Sequence, residues 1–261
     1  MNKSIALWFN SMGCGGILFF IAGQVWAADL QATLQWHRRV ELSTPVSGVV
    51  VEVLVETGNK VTKGNALLKL DSHVRQARLE QAKAELEQQE KLRAEAKKEL
   101  ERAQELYDRT VLSNHELEVA KIDDASANAK YFAARAAVAQ YESDLNYSVV
   151  RAPFDGVVVN RFAEVGQTVI NELKPMVLFI FAETGKMIAR TEIAPGKLST
   201  LKTGQAIAVK VGGKRFHGKI MYLGLEPASG LGEDARYTLE VEFEPGDSIL
   251  RAGQLATLVL P

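Results

Sequence analysis

The sequence predicts a mainly β protein with a long α-helical coiled-coil hairpin. The expected parts are a β-sandwich split into two halves by that hairpin, plus an antiparallel β-barrel. Three observations carry the expectation. A strand-turn-strand motif occurs twice, at an offset of 108 residues. Between its copies, residues 72–146 contain neither Pro nor Gly and are dominated by Ala, Glu, Gln, Lys, Arg and Leu, which are strong helix formers. After the second copy, short runs of alternating apolar and polar residues are separated by turn signals.

The repeat defines the sandwich, residues 43–71 and 147–175. Pro45, Gly48, Val49, Val50, Val51, Glu56, Gly58 and Val61 recur as Pro153, Gly156, Val157, Val158, Val159, Glu164, Gly166 and Val169, eight identities in 17 positions. In each copy a Pro and a Gly open a valine-rich strand, and Gly58 or Gly166 supplies a turn position where positive φ costs little. A short strand at residues 66–70 closes the first copy. Two such halves can pair about a pseudo-twofold axis.

The hairpin occupies residues 72–146. Asp71 or Ser72 can cap its first helix. In the second helix Leu117, Ala120, Asp124, Ala127, Tyr131, Ala134, Val138, Tyr141 and Leu145 alternate steps of three and four, the spacing of a coiled-coil seam. The first helix has a looser seam through Leu79, Ala82, Leu86, Ala96, Leu100, Ala103 and Tyr107, interrupted by Gln89 and Arg93. Residues 110–114 form the turn, with Ser113 or Asn114 capping the second helix. At 1.5 Å per residue, helices of about 35 residues reach roughly 50 Å, which reads as a device for reaching a distant partner.

Residues 176–261 read as the barrel. Tyr237, Leu239, Val241 and Phe243 alternate with polar residues, and residues 206–211, 216–222 and 255–260 read likewise. Residues 194–201 suggest a short helix. An N-terminal strand within residues 28–42 is expected to join the barrel.

Residues 1–27 have the layout of a signal peptide. Lys3 precedes an almost wholly apolar run at 12–23, and Val25 and Ala27 offer small residues at a cleavage site before Ala28. Cleavage and retention as an anchor both remain open, and either places the protein in the periplasm, associated with the inner membrane. Ser11 and the apolar run following Cys14 make a lipoprotein signal the weaker reading. Cys14 is the single cysteine, so an intramolecular disulfide and a cysteine-based zinc site are excluded.

Lys and Arg number 31 against 32 Asp and Glu, a net charge of -1, without the basic excess of a nucleic-acid binder. His37, His73, His115 and His217 fall in separate elements without ligand spacing, and His37, Arg38 and Arg39 read as an ordinary solvated start and not as a binding patch. Met176, Met187 and Met221 read as core residues. Gly230 and Gly232 precede a strand instead of a helix, which removes a nucleotide-loop reading. No catalytic, cofactor-binding or metal-ligating residue is expected, and no enzyme.

The two half-motifs resemble the split lipoyl/biotinyl halves of membrane fusion proteins, the HlyD-like periplasmic adaptors of efflux pumps and type I secretion. The resemblance covers nearly all of residues 40–261 and implies a split lipoyl-like β-sandwich. In carrier proteins with that fold a modified lysine stands between the halves. Here the coiled coil occupies that place, which disfavours a lipoyl/biotinyl carrier-like subunit. Arg102, Leu106 and Ser113 match the R-x-x-x-L-x-x-x-x-x-x-S pattern with which such adaptors meet TolC-type outer-membrane channels. The resemblance thus implies an adaptor between an inner-membrane transporter and a TolC-type channel, assembled as a trimer or hexamer. An RND-type transporter is the first expectation, and an ABC-type exporter or type I secretion system is the alternative. A coiled-coil interaction protein unrelated to transport is a third reading. The family's membrane-proximal domain is expected to be absent or vestigial, leaving transporter contact to the barrel.

Overall fold

The computed structural model describes residues 29–170, 175–246, 248 and 250–260. The expected signal peptide, residues 1–27, lies outside the described residues. In chain order the elements are β1 (Asp29–Trp36), β2 (Arg39–Leu42), β3 (Gly48–Val53), β4 (Lys60–Val61), β5 (Ala66–Leu70), α1 (His73–Asp108), α2 (Asn114–Asn146), β6 (Val149–Arg151), β7 (Gly156–Arg161) and β8 (Thr168–Val169). They continue with β9 (Phe179–Glu183), β10 (Met187–Ile193), α3 (Pro195–Leu198), β11 (Ala206–Val211), β12 (Lys214–Ser229), β13 (Arg236–Phe243) and β14 (Leu255–Val259).

Two four-stranded sheets form the sandwich, ordered β2-β9-β7-β4 and β6-β5-β3-β8. The repeat copies exchange strands: β4 of the first half pairs with β7 of the second, and β8 of the second pairs with β3 of the first. The symmetry reaches individual hydrogen bonds. Gly58 N–H donates to the Val158 carbonyl at 2.7 Å, and Gly166 N–H donates to that of Val50 at 2.8 Å. Register shifts fall between Val50 and Glu52 in one half and between Val158 and Asn160 in the other. Val50, Leu67, Leu68, Val158, Phe179 and Phe181 are buried between the sheets.

Two expected boundaries move. β9, expected in the barrel, is a central strand of the sandwich, where Phe179 and Phe181 are fully buried. β2, expected to reach the barrel with the rest of residues 28–42, pairs with β9 instead, while β1 lies in the barrel. The reason is physical: an apolar strand shows which of its residues are buried but not which sheet buries them.

The barrel closes in the order β1-β10-β13-β12-β11-β14 around Leu34, Ala189, Val209, Ile220, Leu239, Val241, Phe243 and Leu258. α3 is a single turn, shorter than the expected 194–201. The strand expected at 216–222 is part of the 16-residue β12, whose pairing with β13 shifts register at Ile220/Tyr222 and again around Pro227. Met187 is buried and Met176 packs on the sandwich core, but Met221, expected inside, is exposed on β12.

α1 has 36 residues and α2 has 33. Leu79 and Ala82 of α1 and Leu117 and Ala134 of α2 are buried between them. Gln89 and Arg93 continue the seam instead of breaking it, for both are half-buried. Arg93 Nε donates to Asn128 Oδ1 at 2.6 Å, and its guanidinium lies 4.6 Å from the Tyr131 ring centroid. The long arginine stem covers apolar surface while its head finds an amide and an aromatic face. At the root, Asp71 Oδ1 accepts from His73 N–H at 3.0 Å, whereas the N-cap Ser72 makes no side-chain cap bond. Arg75 donates to the carbonyls of Asp71 and Ser47, and Thr44 Oγ1 donates to the Tyr147 carbonyl at 2.8 Å. Both helix ends are thereby tied to the sandwich.

Candidate functional site at the hairpin tip

The tip is built by two helix-capping devices. α1 ends in a Schellman arrangement: Thr110 N–H donates to the Tyr107 carbonyl at 2.8 Å and Val111 N–H to that of Leu106 at 2.9 Å. The left-handed position of such a cap ordinarily holds Gly, but here it holds Thr110, at φ 61. α2 begins with a capping box. Ser113 Oγ accepts from Glu116 N–H at 3.3 Å, while Ser113 N–H donates to Glu116 Oε2 at 2.9 Å. The Ser113 hydroxyl, and then its backbone N–H, hold the Glu116 carboxyl below the usual carboxylate range.

The three sequence-predicted tip residues occupy different settings. Arg102 is exposed and paired with Glu99 at 2.5 Å. Leu106 is half-buried and carries the seam onward by a three-residue step from Ala103, so Tyr107, expected in the seam, turns outward. Arg102 and Leu106, four apart, share one face of α1. Ser113 lies across the turn with its hydroxyl engaged in the cap. The turn also presents Val111, 72% exposed, an apolar residue that the spacing argument missed. Beneath the tip a shallow groove is lined by Leu92, Ala96, Val119 and Ala120 together with Glu95, Glu99, Glu116 and Asp123. Its residues come from both helices, so no linear motif marks it.

His37 differs from its expected solvated setting. It is half-buried, with Nδ1 2.8 Å from Glu183 Oε2 and Nε2 3.0 Å from Glu242 Oε2. Among the described residues, no three His, Cys, Asp or Glu side chains are placed to hold a metal ion. Among them, too, no helix is long and apolar enough to cross a membrane.

With the sandwich, hairpin and barrel in place, comparison with known proteins is direct. Residues 38–178 match the family described as CzcB-like, barrel-sandwich hybrid domain. The chain belongs to this family. Macrolide export protein MacA of Yersinia pestis is 28% identical over 231 residues, covering 82% of this chain and 62% of MacA. Antibiotic efflux pump periplasmic linker protein ArpA of Pseudomonas putida is 26% identical over 182 residues, covering 66% of this chain and 44% of ArpA. The chain thus spans less than two thirds of the length of either relative. Among solved structures, the membrane fusion protein Spr0693 from Streptococcus pneumoniae R6 superposes with a TM-score of 0.70 at 18% identity, covering 90% of this chain and 99% of that one. A MacA-MexA chimera carrying the Pseudomonas aeruginosa MexA α-hairpin gives 0.65 at 24%, covering 89% and 80%. These two structures share the fold of this barrel-sandwich hybrid protein, and its resemblance to the membrane fusion proteins holds.

Proposed function

We propose that the chain is a periplasmic adaptor subunit of a tripartite efflux or export system. It bridges an inner-membrane transporter, of RND type in the first instance, to a TolC-type outer-membrane channel, and works as a trimer or hexamer. The observation that carries this reading is the hairpin: an arm roughly 50 Å long, tied to the sandwich at both helix ends and bearing Arg102, Leu106 and Ser113 at its far end. A solvated helical insertion has no need of such length or of two capping devices at its tip. The export and efflux names of MacA and ArpA support the transport reading.

In this role Arg102 offers an exposed guanidinium for carbonyls or carboxylates of the channel helices. Leu106 and Val111 supply apolar contact, and Ser113 fixes the turn that presents them. The test uses Arg102→Asp, because Arg102 is exposed and its replacement spares the seam. Cross-linking between tip and channel and drug efflux are both expected to be lost, with helix content by circular dichroism unchanged. Efflux at the native level in that variant would overturn the tip assignment.

A further inference from the structure

The sandwich and the barrel are joined by two strands. β1 runs into β2 through His37 and Arg38, and β9 runs into β10 through Thr184, Gly185 and Lys186. Both β1–β10 and β2–β9 pair antiparallel, so one two-stranded ribbon threads both bodies and is interrupted where they meet. Glu183 N–H donates to the Arg38 carbonyl at 2.9 Å across the interruption, and Gly185 takes φ 95. Such a ribbon can bend or twist at its interruption while its two ends stay in their sheets.

His37 lies at that point and touches both bodies. Glu183 is the last residue of β9 in the sandwich, and Glu242 belongs to β13 in the barrel. The three side chains are 21%, 22% and 26% exposed. The other charged groups at the junction are Arg38, with Nε 3.8 Å from Glu183 Oε2, and Lys186, whose Nζ donates to Glu242 Oε1 at 2.8 Å. Glu244 adds a further carboxylate near Lys186.

We propose that His37 is a proton-operated latch between the sandwich and the barrel. A neutral imidazole has one N–H and one lone pair. It can donate to Glu183 or to Glu242, and its lone pair then faces the other carboxylate at hydrogen-bond distance, which is repulsive. The imidazolium donates on both sides, and both bonds are charge-assisted. Lys186 and Arg38 are cations beside these carboxylates, and Lys219 of β12 stands opposite Glu242 in the β12–β13 register; the charge on the imidazole is the variable. The second tie is therefore present while the imidazole carries both protons and is lost when it gives one up. The hairpin is rooted in the sandwich, so a few degrees of rotation at the ribbon move its tip by several ångströms. The latch sets where the arm points relative to the barrel.

The test places spin labels on the full chain through Lys63→Cys in the sandwich and Arg215→Cys in the barrel, with Cys14→Ser. The distance distribution between the labels is expected to be narrow at acidic pH and broad at alkaline pH. His37→Ala is expected to be broad at both. Glu242→Gln is expected to stay narrow at both, because its amide N–H can donate to the Nε2 lone pair of a neutral imidazole. Equal widths at the two pH values in the native chain, or a pH response that survives in His37→Ala, would overturn the latch.

Discussion

Ser113 and Glu116 cap one another at the hairpin tip: Glu116 N–H donates to the serine hydroxyl, which itself donates to the Glu116 carboxylate at 2.7 Å. Removing the hydroxyl leaves the first turn of α2 with an unsatisfied N–H. Ser113→Ala is expected to cost about 1 kcal/mol, read as faster amide hydrogen exchange over residues 114–117. Ser113→Thr keeps the oxygen and should retain protection. Pairing the two variants separates the capping role of Ser113 from any role in channel contact.

The same pair makes the tip sensitive to acid. Glu116 is held below the usual carboxylate range, so the folded tip favours its ionised form. The stabilisation is present above the ordinary glutamate range and is lost as pH falls below that range through the lowered value of the folded tip. The protection factors of the Glu116 and Leu117 amides should decline as pH falls below the ordinary glutamate range. Glu116→Gln should remove most of that pH dependence.

Thr110 stands where a glycine is ordinarily found, with its branched side chain in the left-handed region. Thr110→Gly is expected to stabilise the hairpin by about 1 kcal/mol, measured as a higher urea midpoint. No change or a loss would mean that the threonine side chain makes a compensating contact at the turn.

Gly48 and Gly156 are equivalent by sequence but differ in their surroundings. A Cβ on Gly156 would sit 2.3 Å from the Ala182 carbonyl oxygen and 2.7 Å from the Phe181 ring. On Gly48 the nearest atom would be Leu70 Cβ at 3.5 Å, an ordinary contact. Gly156→Ala should therefore destabilise the sandwich by about 3 kcal/mol, while Gly48→Ala should remain close to native. Thermal unfolding of the two variants reads the difference directly.

Gln89 Oε1 is buried in the seam without a hydrogen-bond partner, although its amide nitrogen donates to Glu85 at 2.6 Å. Gln89→Leu removes the unsatisfied acceptor and fills a seam position with apolar volume. Stability against urea should rise by about 1 kcal/mol.

Much of this architecture was legible because it rests on local pattern. The hairpin follows from helix-forming composition and a seam spacing that both appear in consecutive residues, and Ser113 was readable as a cap from its place before the second helix. Less legible was whatever depends on a distant partner. Nothing in residues 179–183 says that Phe181 will pack against Phe154 in the sandwich, with ring centroids 5.4 Å apart. Arg93 looked like a break in the seam because its covering partners, Asn128 and Tyr131, lie on the other helix. The outward turn of Tyr107 reflects the same limit, since steps of three and four from Ala103 are equally periodic and packing decides between them. His37 carries no local mark of its bridge, as both carboxylates it meets are more than a hundred residues away.

The exchange of strands between the two repeat copies also favours one order of assembly over others. Neither sheet can be completed by one half alone, because β4 requires β7 and β3 requires β8. The intervening helices make sequence-local contacts, which form early and carry little loop-closure entropy. Once zipped, they hold residues 71 and 147 side by side and deliver the two halves to each other at high effective concentration. The arm that reaches outward in the finished protein is, during folding, the clamp that brings its own foundation together.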